Sequence, residues 1–463
     1  MAGEKVTGYW KWPWEPFVAF SILCAWLPGF LFAVLLGLVP VLKLSAVPWR
    51  TAMVASHGHA MLVGWGGSMI IGVALHFLPK LRGAKLVTPE WVPWLFVAFV
   101  VGTTGHIVIP LLLALLDAQD FPRWTTVLEW SNDFVLLIQV LAILGLLAIL
   151  IITFKKGPPL AQKRGFRQIL FPLLTVGMAF LSAQVFWLSA AVEHIIMGRS
   201  SVLLATSPHM STIEMLLWGG VPAISLGMSS RFFPLVFRTQ PPSNKLIDAS
   251  SIALSVGVLM TLLIGFKAVL DWQGSFLQAL AAFSFGVGIL LTVPAVKVMH
   301  PQTPMRSSKD RYCFWRDPAG IGVLTAYLWA AVGAVLLLIY AAVTWWTGMN
   351  ASVFILKDLA RHTMGAGFMT LLIISVGWTM LPGFAGGSPR GPRWMWCAVI
   401  LANLAVMLRV LPGAFSLLAP SLLKAGFYST ALVVAGVLGW LAIGAFTVAL
   451  LYSRKPGERG KRG

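Results

Sequence analysis

Charge is what this chain has least of. Only 11% of its 463 residues are Asp, Glu, Lys or Arg, against 58% hydrophobic residues and a mean hydropathy of +0.85. A water-soluble protein of this length could not cover such a surface, so the composition implies a polytopic membrane protein. Acids are scarcest: 15 Asp and Glu stand against 34 Lys and Arg, for a formal net charge of +19. In a membrane chain that excess reads as basic cytoplasmic loops, and no nucleic-acid partner is expected. Cysteine is nearly absent. Cys24, Cys313 and Cys397 lie far apart with no CxxC or CxxCH, which argues against disulfides, a thiolate zinc site and covalent c-type haem. GxSxG and HExxH are missing too, so the SHG and HGH stretches around His57 and His59 do not make a hydrolase. No cleavable signal peptide is expected: residues 1–16 carry Glu4 and Glu15, and the apolar run beyond them is long enough to span.

Long apolar runs are abundant. About 20 such residues cross a bilayer as a helix. On that rule twelve spans are predicted, at 17–42, 59–79, 91–116, 133–154, 169–196, 212–235, 249–270, 274–299, 320–347, 361–384, 393–420 and 428–452. An open sheet cannot span, so the fold class is all-α, a polytopic membrane bundle of about 12 helices. The expected organisation is a cytoplasmic segment 1–16, a single transmembrane domain 17–452 and a basic tail 453–463. With the N-terminus inside, 25 of the 34 Lys and Arg fall on inner segments and 9 on outer ones. That alternation supports the span count and places both termini in the cytoplasm, as for a multi-pass protein of a bacterial inner membrane surrounded by lipid.

The same topology sorts the histidines. Six of the eight fall on the outer side: His57, His59, His106, His194, His209 and His362, with His76 and His300 at inner ends. His57 and His59 are expected to open span two, and His362 span ten. Imidazoles gathered at one depth of so apolar a chain point to a metal or haem site. Glu193 and Glu214 lie at that depth, where a carboxylate orients an imidazole or carries protons. The inner halves of the spans hold no acid to begin a cytoplasmic proton path, which disfavours proton pumping.

Three spans share a frame, over 59–79, 214–234 and 362–382. Each begins with a polar residue (His59, Glu214, His362), has a glycine five residues on (Gly64, Gly219, Gly367) and a proline twenty residues on (Pro79, Pro234, Pro382). Such glycines admit either a neighbouring helix or a flat macrocycle, and the prolines are expected to end the helices. Imidazole is the usual axial ligand of b-type haem, with arginines such as Arg361 placed to meet propionates. His59 is the favoured inward ligand of the 57/59 pair, because two residues apart on a helix point about 200° apart.

The stretch SHGHAMLVGWGGSMIIGVALHFLPKLRG (56–83) resembles the NnrS family, and RHTMGAGFMTLLIISVGWTMLPGFAG (361–386) resembles a later span of that family. The resemblance implies about twelve spans, haem and copper binding, and a part in nitric oxide responses. His57, His59 and His362 match the motif positions. Ala60 stands where the family tends to have an acid, and the family's GHTGR is missing. The chain is also similar, more distantly, to the catalytic subunit of heme-copper oxidases. It departs from that pattern in having no adjacent His-His pair, Gly198 one turn beyond His194, and no second histidine two residues from His362.

Three functional expectations follow. The first is a haem b protein, with copper as a second metal, that handles nitric oxide or a related gas near the periplasmic face. His59 and His362 would then be haem ligands, with His106, His194 and His209 serving a second haem or copper. The second is an oxidoreductase of nitric oxide reductase type, fed by a quinol or a cytochrome, in which Glu193 and Glu214 are catalytic. The third is a cofactor-free transporter.

Overall fold

Hydrocarbon offers no water to a peptide group, so each crossing segment must satisfy its own backbone as a helix. The computed structural model describes residues 13–42, 47–116, 121–158, 163–197, 207–265, 274–302, 313–348, 351–418 and 425–453; side chains at 47–48, 163–167, 190, 193–197, 207–210, 274, 351, 418 and 425–426 are outside that description. Twelve long helices run through the described residues. They are α1 Glu15–Val41, α2 Trp49–Arg82, α3 Pro89–Leu115, α4 Pro122–Lys156, α5 Lys163–Met197, α6 207–236, α7 Asn244–Gly265, α8 Gly274–Ala295, α9 Pro318–Thr347, α10 Ser352–Phe384, α11 Pro392–Leu417 and α12 Phe427–Ser453. The chain is an all-α polytopic membrane bundle, and eleven of these helices are long and apolar enough to cross a membrane by length and composition. The other, α6, is more polar and mostly buried. Ser225 and Ser230 bond Val221 O and Gly227 O within the helix, and Ser229 accepts the Tyr327 hydroxyl at 2.9 Å.

Two expectations about helix ends are corrected. Span two does not open at His57: α2 starts at Trp49, so both histidines sit well inside it. Arg50, Ser56 and the histidines lower the local apolar signal, but the backbone stays helical and Ser56 Oγ donates to Ile107 O of α3 at 2.7 Å. For the same reason α10 begins at Ser352, before His362. Nor do the frame prolines end their helices. The helices run on to Arg82, Val236 and Phe384, because the missing N–H costs one bond in a last turn that is nearly complete. Gly83, with φ +62°, closes α2 in the left-handed conformation.

The three-span frame is visible as backbone geometry. In α2, α6 and α10 the α-helix stops at the frame's first residue and a wider π-helical segment follows: Ala60–Gly67 after His59, Met215–Gly220 after Glu214, Thr363–Met369 after His362. A fourth, Ala25–Leu31, lies in α1 around Pro28. Side chains serve the carbonyls of these segments. Thr370 Oγ1 donates to Gly365 O at 2.8 Å, Ser21 to Trp65 O at 2.7 Å, and the His57 ring bonds Gly29 O at 2.9 Å. The frame glycines are filled by neighbouring side chains. A Cβ at Gly64 would stand 2.7 Å from Cys24, at Gly219 2.5 Å from Val258, and at Gly367 2.7 Å from Trp329. Of the two uses the sequence allowed, these three serve helix packing.

The described helices group into two compact units within the span where a single domain was expected. The described residues up to Phe32 and within Ser45–Ala161 and Trp187–Thr206 form the first: most of α1, then α2, α3, α4 and the end of α5. Here α3 and α4 pack at Gly102 and Gly105, where added Cβ atoms would stand 2.6 Å from Gln139 Cβ and 2.8 Å from Val135. The described residues within Ala33–Leu44, Gln162–Phe186 and Ser207–Gly463 form the second, with most of α5 and with α6 to α12. Its sequential helices pack as antiparallel neighbours, and Gly257 of α7 lies against the Phe285 ring of α8 at 2.6 Å from an added Cβ.

Candidate functional site

In each unit the described residues bring some of the expected site residues together in a polar cluster among apolar helices. In the first, α2 brings His59 and α3 brings His106, their ring centroids 4.5 Å apart and edge-on. The Gly102–Gln139 crossing sets this up, because it draws α4 close enough for Gln139 Oε1 to accept from His59 Nε2 at 2.8 Å. One turn beyond Gly102 on α3, His106 Nδ1 lies 3.1 Å from Asn132 Oδ1. Trp187 borders the pair, its ring 5.8 Å from His59. His59 is buried at 3% exposure, and Gln139 Nε2 has no hydrogen-bond partner among the described residues. His57 points elsewhere: a carbonyl can only accept, so the contact with Gly29 O makes its Nδ1 the protonated nitrogen.

The second cluster lies where α6, α10 and α11 meet. Glu214, the last α-helical residue before the π segment of α6, accepts from Lys357 at 2.5 Å and Arg361 at 3.1 Å, both through Oε1. Lys357 and Arg361 are one turn apart on α10, so both reach the same carboxylate. Lys357 also sits over the Tyr340 ring, 5.6 Å from its centroid. Asp358 turns the other way. Its Oδ2 takes Arg409 of α11 at 2.6 Å, and its Oδ1 lies 3.3 Å from His362 Nδ1. The same Nδ1 donates to the Asp358 backbone carbonyl at 2.8 Å, which fixes the proton there and leaves the lone pair on Nε2. Arg361 Nε and Arg409 Nη1 are buried without a partner among the described residues. Three cations therefore face two carboxylates here. Gly365, three residues beyond His362, is open: an added Cβ would meet nothing nearer than Leu217 at 4.0 Å.

The expected residues thus divide. His59 and His106 come together in one unit; Glu214, Arg361 and His362 in the other. Glu193, His194 and His209 lie outside the residues whose side chains are described. Among the described residues no three His, Cys, Asp or Glu side chains gather as a metal site. Sequence reasoning missed Gln139, Asn132, Lys357, Asp358 and Arg409. Gln139 is a lone amide in an apolar run, and Asp358 and Lys357 precede His362 and Arg361 by one helical turn, signals that spacing alone could have given.

No family model and no curated protein matches the sequence. Solved structures do. A heme-copper terminal oxidase, solved as a dimer by electron cryo-microscopy, superposes with a TM-score of 0.68 at 13% identity, covering 96% of this chain and 84% of that one. The fold is similar to that oxidase's. At that identity the likeness concerns the helical architecture, and the chemistry must be read from this chain's own residues.

Proposed function

We propose that this chain binds haem b through His362 and handles nitric oxide or a related small gas, as an NnrS-type protein of a bacterial inner membrane. The observation that carries the reading is the state of His362. Its Nδ1–H is engaged by Asp358 O, its Nε2 keeps the lone pair, and Gly365 beside it leaves room for a flat macrocycle. Arg361 Nε and Arg409 Nη1, buried and without a partner among the described residues, fit the same group, since unmet N–H donors cost about 1–3 kcal/mol each and carboxylates such as propionates would satisfy them. Haem iron, when bound, supplies a coordination position for a diatomic gas. The chain's own residues do the rest. Asp358 orients the imidazole, and Glu214 clamps the Lys357–Arg361 face of α10 to α6. His59 is the second candidate haem ligand. His57, His106, His194 and His209 are candidates for copper or a second haem, which imidazole donors suit.

The test is an optical spectrum of the detergent-purified protein, oxidised and then reduced, with metal analysis on the same sample. A Soret band with sharp reduced α and β bands that weaken in His362→Ala supports the reading. A colourless, metal-free protein from haem-replete cells refutes it and leaves the transporter. The oxidase-like fold favours a second reading, an oxidoreductase fed by a quinol or cytochrome. In that case turnover with a donor appears, and Glu214→Gln and Glu193→Gln lower turnover more than haem content.

A further inference from the structure

Asp358 joins two groups that compete for one carboxylate. One oxygen lies 3.3 Å from Nδ1 of His362, whose N–H it shares with the Asp358 backbone carbonyl at 2.8 Å; the other holds the Arg409 guanidinium of α11 at 2.6 Å. A carboxylate behind the N–H of an imidazole draws that proton toward itself and makes the opposite nitrogen a stronger electron donor. A guanidinium on the same carboxylate withdraws charge and weakens the effect. Neither residue has to touch the ligand to act on it.

The geometry points to Asp358 and Arg409 as an opposed pair of positioning residues: Asp358 aims the His362 ring and raises the donor strength of Nε2, and Arg409 holds that strength down. The inference rests on the haem reading for His362. It assigns to Asp358 a task separate from clamping the helix, which Glu214 performs with Lys357 and Arg361. Its direction follows from charge. A stronger donor stabilises the oxidised, more positive iron, so the reduction potential falls when the carboxylate is freed and rises when it is removed.

The experiment is a redox titration of the purified wild-type protein and of Asp358→Asn, Asp358→Glu and Arg409→Gln, followed by the Soret band. The expected result is a potential higher than wild type in Asp358→Asn, lower in Arg409→Gln, and near wild type in Asp358→Glu. Damage to the fold lowers haem content in all variants and does not move the two potentials in opposite directions. If Asp358→Asn does not fold, the fall in Arg409→Gln decides alone. Full haem content with unchanged potentials, or shifts of the same sign, overturns the inference while the haem reading stands. A wild-type protein without haem overturns both.

Discussion

Gly102 on α3 lies so close to α4 that an added Cβ would stand 2.6 Å from Gln139 Cβ and 2.7 Å from Gln139 N, and Gln139 is the residue that bonds His59. The absence of one carbon on one helix thus determines where an amide sits for an imidazole on another. Gly102→Ala should push α4 away and cost about 1–3 kcal/mol, because backbone atoms, unlike a flexible side-chain tip, cannot yield. Thermal unfolding in detergent checks this. Gly102→Ala with unaltered stability would mean that α3 and α4 cross less tightly.

Gly365 is the contrasting case, with nothing nearer than 4.0 Å to an added Cβ. Gly365→Ala should leave stability within about 0.5 kcal/mol of wild type. Gly365→Leu should fold as well yet bind less haem, as read from the ratio of Soret to protein absorbance. Equal haem in Gly365→Leu would place the macrocycle away from this face.

The Glu214 clamp should be costly to break from one side. Its two cations are only 13% and 22% exposed, so removing the carboxylate strands both. Glu214→Gln is expected to lose about 3 kcal/mol, and Lys357→Met in the same background to recover part of it. A double-mutant cycle by chemical unfolding measures the coupling; additive losses would show the ion pair to be worth little.

At the other end of α2, Arg82 donates to Phe154 O at 2.9 Å and Pro158 O at 3.1 Å, and its guanidinium lies over the Phe154 ring. Arg82→Ala should cost about 2 kcal/mol by removing its hydrogen bonds to Phe154 O and Pro158 O, which lie in and just beyond the last turn of α4. Arg82→Lys should restore little, since one ammonium lacks the planar fork. Melting temperatures of the three proteins separate these outcomes.

Much of the architecture was legible in the sequence because apolar length is a direct physical requirement of the bilayer. All twelve predicted spans correspond to helices, α6 included. The starts of α2, α4 and α10 were missed where polar residues such as Ser56, Asn132 and Asp358 sit inside a helix and bond to a neighbouring one, a pattern that hydropathy cannot register. The frame over His59, Glu214 and His362 was legible as spacing, but its π geometry was not, since the widening leaves no mark on apolar periodicity. Which residue each cluster partner meets was hidden for another reason, even where, as for Gln139, the polar residue itself stood out in an apolar run. Gln139 and Arg409 come from helices distant in sequence, and only packing brings them to His59 and Asp358.

The widened segments also change what a helix position means in this chain. Each one absorbs extra residues without advancing the turn as an α-helix would, so the part of α2, α6 or α10 beyond it is rotated relative to the part before. The angle between His59 and His76, or between His362 and Trp378, therefore cannot be read by simple α-helical counting. A one-residue deletion inside Ala60–Gly67 or Thr363–Met369 that restored regular winding would leave the rest of the rod aimed nearly as before, whereas the same deletion in a regular stretch would turn it by about 100°. In these three helices the two halves are separately aimed parts, and chain length between them is itself a structural variable.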